Sequence, residues 1–194
     1  MTRDVIRRLP NALSIARLAA VPFLAGAAAT GQRDLFKWLL LACLVSDILD
    51  GAIARAFDVR SKLGAALDSN ADLLVELGAL YGVFVFHREV VRDHVAILAT
   101  AVALYLLEIA LSLWRYGRLS SFHTVMSRVA GYGQGIFLLV LFFFGWSAWL
   151  FHGAVALAIA ASLEELELLR RLPEWRADVG GLWRLLRDRG GPPD

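Results

Sequence analysis

The sequence contains a single cysteine, Cys43, so the chain has no second thiol with which to close an internal disulfide. Cys43 lies within an apolar run and is expected to pack as a small apolar side chain. Charge is also sparse. Only 20% of the residues are ionised and they nearly cancel to +2, so the whole-molecule field is weak and no nucleic-acid partner is expected. There is no long linker and no internal repeat, and 194 residues suffice for one domain of ordinary size.

Apolar residues, by contrast, are abundant. They make up 58% of the chain, with a mean hydropathy of +0.59, more than a soluble domain usually carries. A soluble helical protein with a large core could approach this composition, but not its long apolar runs. Six segments reach the roughly 20 residues needed to cross a bilayer, near 11–30, 35–57, 63–86, 94–114, 125–145 and 147–168. The predicted fold is therefore all-α and polytopic, with six transmembrane helices and interfacial segments at both ends. Arg3, Arg7 and Arg8 followed by an apolar stretch and Ala27-Ala28-Ala29 mimic a signal peptide. Arg17 interrupts that stretch, and a retained first helix is expected.

Basic residues are unevenly shared between the two sides. Arg3, Arg7, Arg8, Arg55, Arg60, Lys62, Arg115 and Arg118 fall on one side together with the tail, against Arg33, Lys37, Arg88 and Arg92 on the other. The positive-inside rule then puts both termini in the cytoplasm. The tail from Arg170 mixes Arg171, Arg176, Arg184, Arg187 and Arg189 with Trp175, Trp183, Leu182, Leu185 and Leu186. It reads either as an amphipathic segment on anionic lipid or as a solvated end. The domain reading is a membrane domain over 1–170 and a basic cytoplasmic tail over 171–194.

The second and third segments carry the chemistry. Asp47, Asp50, Asp68 and Asp72 sit at or inside membrane-helix ends, where each costs at least a few kcal/mol if uncompensated. At about 100° per residue, Asp47, Asp50, Gly51 and Ala54 share one helix face. Gly64, Asp68 and Asp72 are spaced four apart and form a stripe on the next helix. Facing stripes would gather four carboxylates around one point, with small residues leaving room beside it. Nearby cations are too few to pair them all. Hard oxygen ligands suit Mg²⁺, Mn²⁺ or Ca²⁺, and four carboxylates can hold two such ions. An ion-pair network that only fixes helix packing, with Arg55 beside Asp47 or Asp50, is the plainer alternative.

The pattern D-x2-D-G-x2-A-R-x8-G-x3-D-x3-D, complete here as Asp47, Asp50, Gly51, Ala54, Arg55, Gly64, Asp68 and Asp72, resembles the signature of the CDP-alcohol phosphatidyltransferases. Pro10-Asn11-Ala12-Leu13-Ser14-Ile15-Ala16-Arg17 is similar to an opening seen in several members. The resemblance implies transfer of a phosphatidyl group from CDP-diacylglycerol to a small polar alcohol with release of CMP, in phospholipid biosynthesis at the cytoplasmic face of the inner membrane. It implies that the four aspartates bind two ions, Mg²⁺ or Mn²⁺, and that Asp72 is also the catalytic base. It assigns Gly51, Ala54, Arg55 and Gly64 to the nucleotide site, and it implies a homodimer in the lipid bilayer.

Other residues remain open. Arg128 either binds an acceptor phosphate or anchors a helix end. Members that make phosphatidylglycerophosphate usually carry Lys-x-Lys-Thr in this region, where this chain has Arg128-Val129-Ala130-Gly131. His123 reads as a surface residue. Glu76 continues the Asp72 stripe, and Glu108, deep in the fourth segment, needs a partner. Two further functions compete with the transferase: a cation transporter using the four carboxylates, and a catalytically silent scaffold. The acceptor is not legible: glycerol phosphate, inositol phosphate, serine and another phosphatidyl group all fit.

Overall fold

A computed structural model describes residues 3–57, 62–117, 124–172, 180–183 and 185, without the side chains of 3–8, 54, 55, 62, 63 and 65. These residues are mostly helical, with no strand among them. Among the described residues the helices are, in order, α1 (Arg3–Ala29), α2 (Arg33–Ala56), α3 (Lys62–Phe86), α4 (Arg88–Asp93), α5 (Val95–Tyr116), α6 (Val125–Phe143) and α7 (Ala148–Arg171). They form two compact groups, residues 1–93 and 94–194.

Five helices among the described residues are long and apolar enough to cross a membrane, the mark of a multi-pass membrane protein. Many of their large apolar side chains are exposed. Over Val95–Tyr116 only 11% of the most apolar stretch is buried, which water would not tolerate. Arg17, Asp50 and Glu108 are buried, whereas Phe23, Phe84 and Leu106 are exposed. That is the arrangement lipid demands, polar groups inward and apolar groups outward. The sixth expected span, α2, has the length, 24 residues or about 36 Å. It does not qualify by composition, because Arg33, Asp34, Lys37, Asp47, Asp50 and Arg55 interrupt it.

In the first group α1 packs against α2 and α3. Ser14, Arg17, Leu24 and Ala28 are buried at intervals of three, seven and four residues, one face of a helix. Phe36 of α2 is fully buried, and its ring lies where a side chain on Gly82 of α3 would stand, 2.0 Å from a Cβ. Glycine at position 82 is what lets the two helices approach here. Cys43 is buried, as expected of a small apolar residue. Beyond the span of α3, Arg33 Nη2 donates to His87 Nε2 at 3.0 Å. The short α4 occupies what the sequence read as a loop.

In the second group α5 and α6 pack against α7. His94, Trp146, Phe151 and His152 form an aromatic cluster around the start of α7. At the other end of α7 the Leu172 carbonyl accepts from Arg115 Nη2 at 3.0 Å and Tyr116 Oη at 2.7 Å. Leu182 and Leu185 pack on buried Leu168, Leu169 and Leu172, and the Leu182 N–H donates to Glu164 at 2.9 Å. The described part of the tail thus folds back on α7. Its Arg176, Arg184, Arg187 and Arg189 lie outside the described residues. Trp114, Phe144, Trp149 and Trp183 are strongly exposed at helix ends or beyond them, the depth at which aromatic side chains favour a bilayer boundary.

Candidate metal centre

α2 contributes Asp47 and Asp50 to the site, three residues apart and on one face. α3 contributes Asp68 and Asp72, one turn apart. The two stripes converge as their spacing predicts, on a cation that the sequence did not place there. The Arg17 guanidinium of α1 reaches all four carboxylates. Nη1 donates to Asp47 Oδ1 and Asp72 Oδ1, each at 2.6 Å. Nη2 donates to Asp50 Oδ2 and Asp68 Oδ1, again at 2.6 Å each. Ser14 Oγ, one turn earlier on α1, donates to Asp50 Oδ2 at 3.3 Å.

The cluster has a floor and a rim. The side chains of Arg17 and Asp50 are 2% and 4% exposed, whereas those of Asp47, Asp68 and Asp72 are 42%, 37% and 50% exposed. Three carboxylates therefore open outward from a buried base. Nearby cations among the described side chains are too few to balance the four aspartates, as expected, but those present are more central than the sequence suggests. One guanidinium touches all four aspartates, and it comes from the first helix rather than from Arg55, whose side chain lies outside the described residues. The electrostatic argument survives in reduced form. Among the described side chains, four carboxylates against one guanidinium leave three formal negative charges, and a half-buried excess of that size attracts more positive charge.

The donor set fits a hard divalent cation. Asp47, Asp50 and Asp68 can each present an oxygen within 4.8 Å of the others. Opposite ligands of one Mg²⁺ stand about 4.2 Å apart, twice a bond of about 2.1 Å. All the donors are carboxylate oxygens, the chemistry Mg²⁺ and Mn²⁺ prefer.

Gly51 and Gly64 are half-buried on the two helices that carry the aspartates. Ala54 lies on α2 with its side chain outside the described residues. Glu76 stands one turn beyond Asp72 and contributes no bond to the cluster. Arg128 is exposed in the first turn of α6, in the second group of helices, and His123 lies outside the described residues. Arg17 is the residue that sequence reasoning missed as part of the site. The available signal was its cost: a guanidinium in the middle of an apolar helix must find anions, and the next helices hold four.

A model of the CDP-alcohol phosphatidyltransferase family matches residues 7–163, which takes in α1 and the whole aspartate cluster. A cardiolipin synthase (CMP-forming) from Streptomyces coelicolor (strain ATCC BAA-471 / A3(2) / M145) is 42% identical over 85 residues. That match takes in 41% of this chain and spans 40% of the relative's length. No solved structure matches. With four fifths of its length under the family model and the full set of signature residues in place, the chain belongs to the CDP-alcohol phosphatidyltransferase family.

Proposed function

We propose that this protein transfers the phosphatidyl group of CDP-diacylglycerol to the hydroxyl of a small polar alcohol and releases CMP. The observation that carries this reading is the convergence of four carboxylates from α2 and α3 on one point, with three formal negative charges in excess among the described side chains. Asp47, Asp50, Asp68 and Asp72 are the residues that would hold two divalent ions, Mg²⁺ or Mn²⁺. Bound there, the ions supply charge neutralisation for the phosphoryl oxygens and for departing CMP.

The chain's own residues do the rest. The acceptor oxygen bonds to the phosphorus that carries the diacylglycerol, and the bond from that phosphorus to the CMP oxygen breaks. Asp72, half-exposed at the rim, accepts the hydroxyl proton. Gly51, Ala54, Arg55 and Gly64 form the nucleotide side of the site, and Arg128 is the candidate residue for an acceptor phosphate. Among the acceptors the sequence leaves open, the name of the cardiolipin synthase relative favours another phosphatidyl group.

The site lies at the cytoplasmic face of the inner membrane, with both termini cytoplasmic, α2 as the sixth span and a homodimer as the assembly. Residues 1–170 form the membrane domain and 171–194 the basic tail. The Lys/Arg distribution supports the orientation, and the family resemblance supports the dimer. The test is incubation of purified protein with CDP-diacylglycerol and a panel of alcohols, followed by mass spectrometry of the lipid product. CMP release that stops on chelation and returns with Mg²⁺ or Mn²⁺ is the expected result. Undiminished release after exhaustive chelation overturns the metal assignment, and no release with any acceptor overturns the reaction.

A further inference from the structure

Arg17 contributes more than charge. Its two terminal nitrogens each bridge the two acidic helices: Nη1 joins Asp47 of α2 to Asp72 of α3, and Nη2 joins Asp50 of α2 to Asp68 of α3. It holds one oxygen of every carboxylate. A single flexible ammonium has no such planar fork, and the pairing depends on the fork. The side chain is 2% exposed, and its remaining nitrogen, Nε, is buried with no partner among the described residues. An orphaned buried donor is a cost that a residue present only for packing would not carry. The guanidinium is buried beneath carboxylates of which three, Asp47, Asp68 and Asp72, are half-exposed at the rim.

We propose that Arg17 is a positioning residue of the metal centre. It sets the four carboxylates in register from the buried floor and stays in place when divalent cations bind at the rim. The inference rests on the metal-centre reading above. It makes a prediction opposite in sign to the obvious alternative. If Arg17 were only a competitor for the carboxylates, weakening its hold would tighten cation binding. If it positions them, loosening its hold weakens cation binding even though carboxylate oxygens are freed.

The experiment is Mn²⁺ binding to purified protein in detergent, without substrate, for the wild type and for Arg17→Lys. The substitution keeps the positive charge and removes the fork. The expected result is a 10–100-fold weaker affinity in the variant, the usual cost of removing a partner that orients metal ligands. Equal or tighter binding by R17K overturns the proposal. Absence of Mn²⁺ binding by the wild type overturns the metal-centre reading itself, so the two failures are distinguishable.

A measurement on the unaltered chain covers the case in which R17K does not fold. With ¹⁵N-arginine labelling, the restrained Nη signals of a buried guanidinium should persist at saturating Mg²⁺. Their collapse to a freely rotating signal would show that the cation displaces Arg17, which overturns the proposal independently of any variant.

Discussion

Asp47 and Asp72 form a matched pair for separating metal binding from proton transfer. Both accept from the same nitrogen, Arg17 Nη1, at 2.6 Å, and their side chains are 42% and 50% exposed. Replacing either with Asn preserves size and removes one charge, taking the cluster's excess from three negative charges to two. The electrostatic loss of cation affinity should therefore be similar in the two variants. Asp72 alone is proposed to take the acceptor's proton, a role typically worth 10²–10⁴-fold in rate, or about 2.7–5.4 kcal/mol of barrier. CMP release measured against Mg²⁺ concentration reads both effects. Asp47→Asn should lose metal and nucleotide affinity together and recover much of its rate at high Mg²⁺. Asp72→Asn should still bind CDP-diacylglycerol and plateau at least 10²-fold below the wild type at any Mg²⁺ concentration. Equal recovery of the two variants would refute the assignment of the base to Asp72 and make Glu76 or His123 the next candidate.

Three further outcomes are expected. Gly82→Ala places a methyl 2.0 Å from Cζ of the fully buried Phe36 ring, so thermal melting should show a loss of about 1–3 kcal/mol, and Phe36→Leu in the same chain should restore part of it. His87 is held below the usual histidine value by burial and by the neighbouring Arg33, so the unfolded chain takes up its proton first. Stability should therefore fall as pH drops below about 6.5, by at most about 1.4 kcal/mol per pH unit, and melting of His87→Gln across the same range should be flatter. For topology, a cysteine at position 190 in a Cys43→Ala background should resist impermeant thiol reagents in intact cells, and ready labelling would invert the proposed orientation.

Most of the helical layout was legible because membrane spans announce themselves by length. The expected segments at 63–86 and 125–145 correspond closely to α3 and α6. The expected first span near 11–30 matches the apolar stretch Leu9–Ala29, and the helix that carries it starts earlier, at Arg3, since nothing in residues 3–9 breaks a helix and Pro10 is carried within it. α4 was missed because six residues between two long helices carry too little periodicity to register. α2 was read as a span by its length, whereas composition sets it apart from the other five long helices. Its ionised groups serve the site at one end and include the Arg33 contact to His87 at the other.

The aspartates were legible for a geometric reason: carboxylates three and four apart form one stripe on each helix, and the cost of leaving either stripe in lipid favours their facing each other. Arg17 was not, because its partners lie 30 to 55 residues away and no local period connects them. A rule of electrostatics connects them instead. A lone guanidinium inside an apolar helix and an unpaired set of carboxylates inside the next two are each untenable alone, and pairing them lowers the cost of both. Among the described side chains the pairing remains incomplete by three formal charges. That excess distinguishes the cluster from a packing network that balances its charges, and it favours the binding of further cations. On this argument, cation binding and chain stability are linked. Mg²⁺ or Mn²⁺ that binds the folded cluster must raise the melting temperature of the protein, and the increase must shrink as each aspartate is neutralised.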